Sequence, residues 1–287
     1  FNAGTATITF RSELLSWTTT TDANKPYFNG TGNVIIESSD VNLGQELWTN
    51  WFYFDQDSNG MGDLRIGKTT NNNDVYITTT VANTGSVKIY AKDIYDWGTI
   101  SSTSNKGISL FAKRSISYDT SGTYSTLAQF FTQGGNVLLA SNVDDATDDD
   151  TAYNGSIRFW NGIRIHTNGG NITLGGGDEQ GRGYALGLTN NVNFTEGVRL
   201  DKTVDINSLG GKIEIRGKSS NYNLTSPTYN GFGNSGFGVY GLTSNGVIDS
   251  GTGTITISGV SQNPSYTNYS SGIVLALNGG RSLSITS

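Results

Sequence analysis

Residues 163–176 read IRIHTNGGNITLGG, with isoleucine or leucine at alternate positions of two short runs and Asn-Gly-Gly between them. Alternation with a period of two marks a strand that buries one face, and Asn-Gly-Gly tolerates the left-handed backbone angles of a tight turn. The run belongs to a longer repeat. SIRFWNGIRIHTNGG, from Ser156, and GVRLDKTVDINSLGG, from Gly197, superimpose without a gap. Ile157 and Val198 each lie twelve residues before the first Gly of their turn, and Ile163 and Val204 each lie six before it. GVYGLTSNGVIDSGTG, from Gly238, repeats the scheme with a slip of one residue, and GIVLALNGGRSLSITS, from Gly272, begins it again. These offsets predict three short strands per unit.

The turn and the strand after it recur along the whole chain. Eight copies are AGTATITF from Ala3, TGNVIIES from Thr31, MGDLRIG from Met61, TGSVKIYA from Thr84, GGNVLLAS from Gly134, GGNITLGG from Gly169, GGKIEIRG from Gly210 and TGTITISG from Thr252. Their starts lie 28, 30, 23, 50, 35, 41 and 42 residues apart, so the period varies while the motif holds. Each unit then makes one circuit, and each strand pairs in parallel with its equivalent in the next. The predicted fold is all-β: a single right-handed parallel β-helix, a solenoid of about three strands per coil with loop insertions, continuous over residues 1–287. Eight circuits at the spacing of paired strands would extend about 40 Å.

Length differences fall after the glycine-led strand, where GGGDEQGRGYALGLTNNVNFTE and KSSNYNLTSPTYNGFGNSGFG interrupt matched strands. Insertions at turns leave the coil cross-section intact, so these loops are where specificity would reside. Asn33, Asn136 and Asn171 follow the turn glycine. They suit either a left-handed turn position or a ladder of side-chain amides across circuits. RSLSITS puts Leu283 and Ile285 at the stations of Ile163 and Ile165 and stops short of the next Gly-Gly turn, so the sequence reads as a fragment of a longer repeat protein.

Composition agrees with a β-rich, solvent-facing chain. Hydrophobic residues make up 34% and charged residues 15%, with 39 Gly among 287 residues and aromatics at 11%, which fits neither a helical enzyme nor a disordered Gly/Ser linker. The formal net charge is -6 and no run of Lys or Arg forms a stripe, which argues against a nucleic-acid partner. No apolar run approaches the ~20 residues of a membrane-spanning helix, so membrane insertion is not expected. Absence of cysteine removes disulfide frameworks, thiolate metal sites and cysteine nucleophiles, and fits an extracellular chain.

GGNITL, GGNVLL, GGKIEI and GTITI, separated by polar loops of varying length, resemble the β-helical shafts of filamentous-haemagglutinin-like adhesins. The segment WFYFDQDSNGMGDLRIGKTTNNNDVYITTTV, from Trp51, is similar to repeats of very large surface proteins of the Bacteroidetes type. The resemblance implies secretion, a bacterial cell-surface position and attachment to host, matrix or neighbouring cells. The implied role is a structural shaft or adhesion segment. Two alternatives stay open: a polysaccharide lyase- or hydrolase-like β-helix enzyme, and a subunit of a self-assembling extracellular filament that associates end to end.

The sharpest local motif is DQDSNGMGD, Asp55–Asp63, which matches the first nine positions of a calcium loop. Asp55, Asp57 and Asn59 would supply side-chain oxygens, Gly60 the sharp turn, Met61 a carbonyl and Asp63 a further ligand. Position twelve is Ile66 where a bidentate Glu is expected, and an acidic turn leading into a strand explains the same residues. Calcium is therefore a candidate ligand and no cofactor is required. A second acidic loop gathers Asp144, Asp145, Asp148, Asp149 and Asp150, which like-charge repulsion keeps solvated unless a cation joins them.

Trp48, Trp51 and Tyr53, with Phe52 and Phe54, form the densest aromatic cluster and are candidates for glycan contact, since exposed rings stack on sugars. Packing of a loop onto the coil accounts for them as well. A looser cluster comprises Tyr222, Tyr229, Phe232, Phe237 and Tyr240. GFGNSG, Gly231–Gly236, fits a dinucleotide pattern by letter but no helix follows it. His166, the one histidine, is expected on the outer face of its strand, and nothing places a nucleophile and an orienting acid beside it. Arg199, Asp205, Lys212, Glu214 and Arg216 alternate outward, as charges would in any solvated coil, and no catalytic residue is assigned.

Overall fold

The computed structural model describes residues 4–11, 27–28, 30–39, 46–49, 52–54, 61–96, 98–117, 127–144, 155–187, 195–220, 238–261, 272–277 and 283–287. Among these the chain is all-β and contains no α-helix. Its strands pair in parallel and fall into three stacks, each ordered as the chain runs.

The glycine-led stack holds β1 (Ile8–Arg11), β3 (Val34–Glu37), β6 (Leu64–Ile66), β9 (Val87–Ala91), β12 (Ile108–Ala112), β15 (Val137–Ser141), β18 (Ile172–Gly176), β21 (Ile213–Lys218) and β23 (Ile255–Val260). All eight predicted copies lie in it, in sequence order. The ninth member, β12, occupies the gap of 50 residues between Thr84 and Gly134. Its KGISLFA has a single turn glycine, Gly107, behind a lysine, which is why the motif did not reveal it.

The second sheet joins the other two stacks. One contains β4 (Leu47–Trp48), β7 (Val75–Ile77), β10 (Ile94–Asp96), β13 (Ile116–Ser117) and β16 (Ile157–Phe159). The other contains β8 (Val81–Asn83), β11 (Thr99–Ser102), β14 (Ala128–Thr132) and β17 (Ile163–His166). They merge at β20 (Val198–Asn207) and β22 (Val239–Asp249), whose two halves serve both stacks, and continue as β24 (Ile273–Leu277) and β25 (Leu283–Thr286). Ile157 pairs with Val198 and Ile163 with Val204, the matches that the repeat offsets require. The one-residue slip is a β-bulge: Lys202 faces Thr243, whereas Thr203 faces Asn245. β19 (Ala185–Leu186) adds to β21, and β2 (Tyr27–Phe28) pairs with β5 (Tyr53–Phe54).

Alternation puts one row of each strand into a shared apolar interior. Val87, Ile108, Val137, Ile172 and Ile213 are all buried, as are Ile94, Ile116, Ile157 and Val198 in the first stack and Ile100, Phe130, Ile165 and Ile206 in the second. Like residues meet like, so each strand offers its neighbour in the stack the same surface. Insertions are not confined to the site expected. β13 ends at Ser117 and β14 begins at Ala128, whereas β16 and β17 are separated only by residues 160–162, so length also varies between the first and second strands. This pairing is compatible with a parallel β-helix.

The turns explain the glycines. A Cβ on Gly170 would lie 2.1 Å from the Gly135 carbonyl oxygen, and one on Gly211 would lie 2.1 Å from that of Gly170. Gly253 repeats this over Gly211 at 2.1 Å, so the second turn glycine stands in a column too tight for any side chain. Beside it runs a hydroxyl ladder. Thr132, Thr167 and Ser208 each donate to the carbonyl three residues on, at 2.5 Å. The asparagines adopt neither a left-handed turn position nor an amide-to-amide ladder: the side-chain oxygens of Asn33, Asn136 and Asn171 accept the backbone N–H of Asp63, Asn171 and Lys212, each at 2.8 Å.

Candidate functional site

Of the sequence candidates, Trp48, Met61 and Asp63 can be placed side chain and all. Met61 is fully buried, and its carbonyl accepts the N–H groups of Thr84 at 3.1 Å and Gly85 at 3.3 Å. Asp63 accepts the Ser86 N–H at 2.7 Å and hydroxyl at 2.8 Å. These two of the five candidate calcium ligands thus bond to the segment leading into the next strand of the stack. Asp55, Asp57, Asn59 and Gly60 lie outside the described residues, as do Asp145 and Asp148–Asp150 of the second acidic loop. Among the described residues no three His, Asp or Glu converge as a metal would need.

Trp48 lies against Tyr76 with ring centroids 4.2 Å apart, and Tyr76 lies against Tyr95 at 4.6 Å. The rings occupy one row of the first stack, so these faces are spent on each other across successive turns. Phe52 is buried and tilts against Phe28 in the core at 5.8 Å. Trp51, the side chain of Tyr53, and Tyr222, Tyr229, Phe232 and Phe237 lie outside the described residues, together with Gly231–Gly236.

The outward charges also separate. Arg199 is in the first stack, Asp205 in the second and Glu214 in the glycine-led stack. Asp205 accepts hydrogen bonds from Arg164 Nε at 2.8 Å and His166 Nε2 at 2.9 Å. Partial burial would raise its pKa, but these two bonds outweigh burial and hold it below the usual carboxylate range. Glu214 is bracketed by Lys212 and Arg216 and is lowered in the same way against its partial burial.

Two polar features are buried, and the first corrects the reading of Arg199 as a solvated outward charge. Beneath the outer face of the first stack, Arg158 and Arg199 lie over the Trp160 ring at 4.1 and 4.7 Å. Arg199 meets Glu196 at 3.1 Å and Asp201 at 2.8 Å. Burial and the neighbouring Arg199 charge lower Arg158 to about 10. The second feature is Asp96, fully buried in the interior row beside Ile77, accepting the Gly98 N–H at 2.9 Å. Burial raises its pKa to about 8, against the pull of that bond.

A recess remains on the outer face of the glycine-led stack. Register aligns Tyr90, Phe111, Ala140 and Gly175 in one outward row that tapers from large to nothing. Tyr90 and Phe111 stack with centroids 4.8 Å apart. The loop 177–184, part of the first predicted excursion, folds down where the row has tapered away: a Cβ on Gly181 would stand 2.8 Å from Leu138 Cδ1 and 3.2 Å from Thr173 Cγ2. The loop is pinned from within and without. Asp178 accepts the N–H of Gln180 at 2.9 Å and of Arg182 at 3.0 Å, and Arg182 Nε at 2.6 Å. Arg216 donates to the Gly181 carbonyl at 3.0 Å, and Gly183 N–H to the Gly176 carbonyl at 2.8 Å. Its tip brings Glu179 into a hydrogen bond with Tyr90, whose hydroxyl pKa is raised by burial and then by that carboxylate. The recess is partly open to solvent and has a volume of about 170 Å³.

The chain matches no protein-family model, no curated protein and no solved structure.

Proposed function

We propose that this chain is a right-handed parallel β-helix that serves as a rigid shaft and adhesion segment of a secreted bacterial cell-surface protein, with weak glycan contacts through its loops. One observation carries the reading. Three parallel strand stacks run through the described residues, and some of their outward polar side chains bridge neighbouring strands, as in the pairing of Glu37 with both Arg11 and Arg65. An assembly in which each turn braces the next resists bending and extension, which is the property a spacer needs. The likeness of its glycine-led motifs to filamentous-haemagglutinin-like shafts supplies the cell-surface setting.

Tandem duplication tests the shaft. Three and six extra copies of residues 157–197 should lengthen the particle by about 14 and 29 Å at constant cross-section in small-angle scattering. Growth in cross-section instead would refute it. A glycan array with and without calcium tests the adhesive part, and silence in both conditions would leave the mechanical role alone.

A further inference from the structure

The roofed recess is not needed for winding the coil. Turn-to-turn pairing is complete without the loop 177–184, as the neighbouring strands β12 and β15 show by pairing directly. Yet the loop is fixed by Asp178, Arg216 and a two-bond bridge between Gly176 and Gly183. A preorganised loop that holds Glu179 at the edge of a recess lowers the ordering cost of binding a small ligand.

We propose that this recess binds a single neutral pyranose residue. Tyr90 and Phe111, stacked on one another, line one side and give apolar contact for the C–H groups of a sugar ring. Its polar atoms are mixed in kind: Glu179 and Asp144 offer acceptors and Lys113 offers a donor. Vicinal hydroxyls both donate and accept, so they match such a set, and the volume of about 170 Å³ equals roughly five or six waters, the room of one sugar ring. Other ligand classes fit worse. Two carboxylates oppose an anion. A cation meets Lys113, whose ammonium already donates to the Asn72 side chain and the Thr70 carbonyl. An apolar molecule would desolvate the carboxylates and the ammonium that line the recess.

The proposal rests on the adhesion reading only for its class of ligand, and the two fail separately. The test is titration of the full chain, followed by amide NMR, with the methyl glycosides of glucose, galactose, mannose and N-acetylglucosamine. At least one should shift the signals of Tyr90, Phe111 and Glu179 with a Kd tighter than about 10 mM. Glu179→Gln should weaken it about tenfold, through loss of a charged acceptor. Val143→Trp, at a half-exposed lining position, should abolish binding by filling the cavity while leaving thermal unfolding unchanged. No shift with any of the four at 50 mM, or binding that survives Val143→Trp, would overturn the proposal. Either result would leave the scattering test of the shaft untouched.

Discussion

Leu209 is the residue at which the chain departs furthest from its own rule. It occupies the place of Asn168 before a Gly-Gly turn, and both have left-handed φ angles of 50°. Asn tolerates that angle, while Leu pays a steric cost of about 1 kcal/mol and is 60% exposed with nothing to gain from burial. Leu209→Asn should therefore stabilise the chain by roughly 1 kcal/mol in denaturant unfolding. Gly170→Ala should do the reverse, by at least about 3 kcal/mol, because its methyl would enter the space of the Gly135 carbonyl. Gly169→Ala, with open space around its Cβ, should cost only the strain of φ 107°. Asp96 adds a pH dependence. Its folded pKa of about 8 exceeds the unfolded value of 3.8, so the folded chain holds a proton that the unfolded chain releases. The stability is fully present below about pH 4 and falls by up to about 1.4 kcal/mol per unit as the pH rises toward 8. Asp96→Asn should flatten that slope in unfolding curves taken between pH 5 and 8; an unchanged slope would assign it to other groups.

At the scale of the strand and its turn, stability comes from repetition of one contact, and the legible parts of the sequence are those that repeat. Ile157 and Val198 could be matched because two units have equal spacing, and their pairing is what the structure contains. β12 escaped because Gly107 stands alone after Lys106, although the physical requirement at its turn is the same: the Cβ position of Gly135 is blocked by the Lys106 carbonyl. The recess was legible only as an excursion, since Tyr90, Phe111 and Glu179 come from three distant stretches and meet through register and loop folding. Trp48 read as a platform because a sequence cannot show that its neighbour ring lies on the next turn. The Arg158, Glu196, Arg199 and Asp201 cluster was hidden for the same reason. There, Asp201→Asn should destabilise by about 3 kcal/mol, because it leaves two buried guanidinium groups with one fewer counter-charge. A change below about 0.5 kcal/mol would mean that solvent already screens the cluster.

At the scale of the molecule, distance along the particle should depend on the number of turns and not on the number of residues. One outward row makes this measurable. Thr9, Ile35, Arg65, Lys88, Ser109, Leu138, Thr173, Glu214 and Thr256 follow one another in register along the glycine-led stack. The chain contains no cysteine, so nitroxide pairs can be attached to cysteines introduced at the exposed positions Thr9, Lys88 and Thr256 without background labelling. Pulsed dipolar spectroscopy on these pairs is the direct measurement. Strand spacing predicts about 24 Å between Lys88→Cys and Thr256→Cys and about 38 Å between Thr9→Cys and Thr256→Cys. Two distances that are equal, or a shorter one for the Thr9 pair, would mean that the strands do not stack in chain order along one axis.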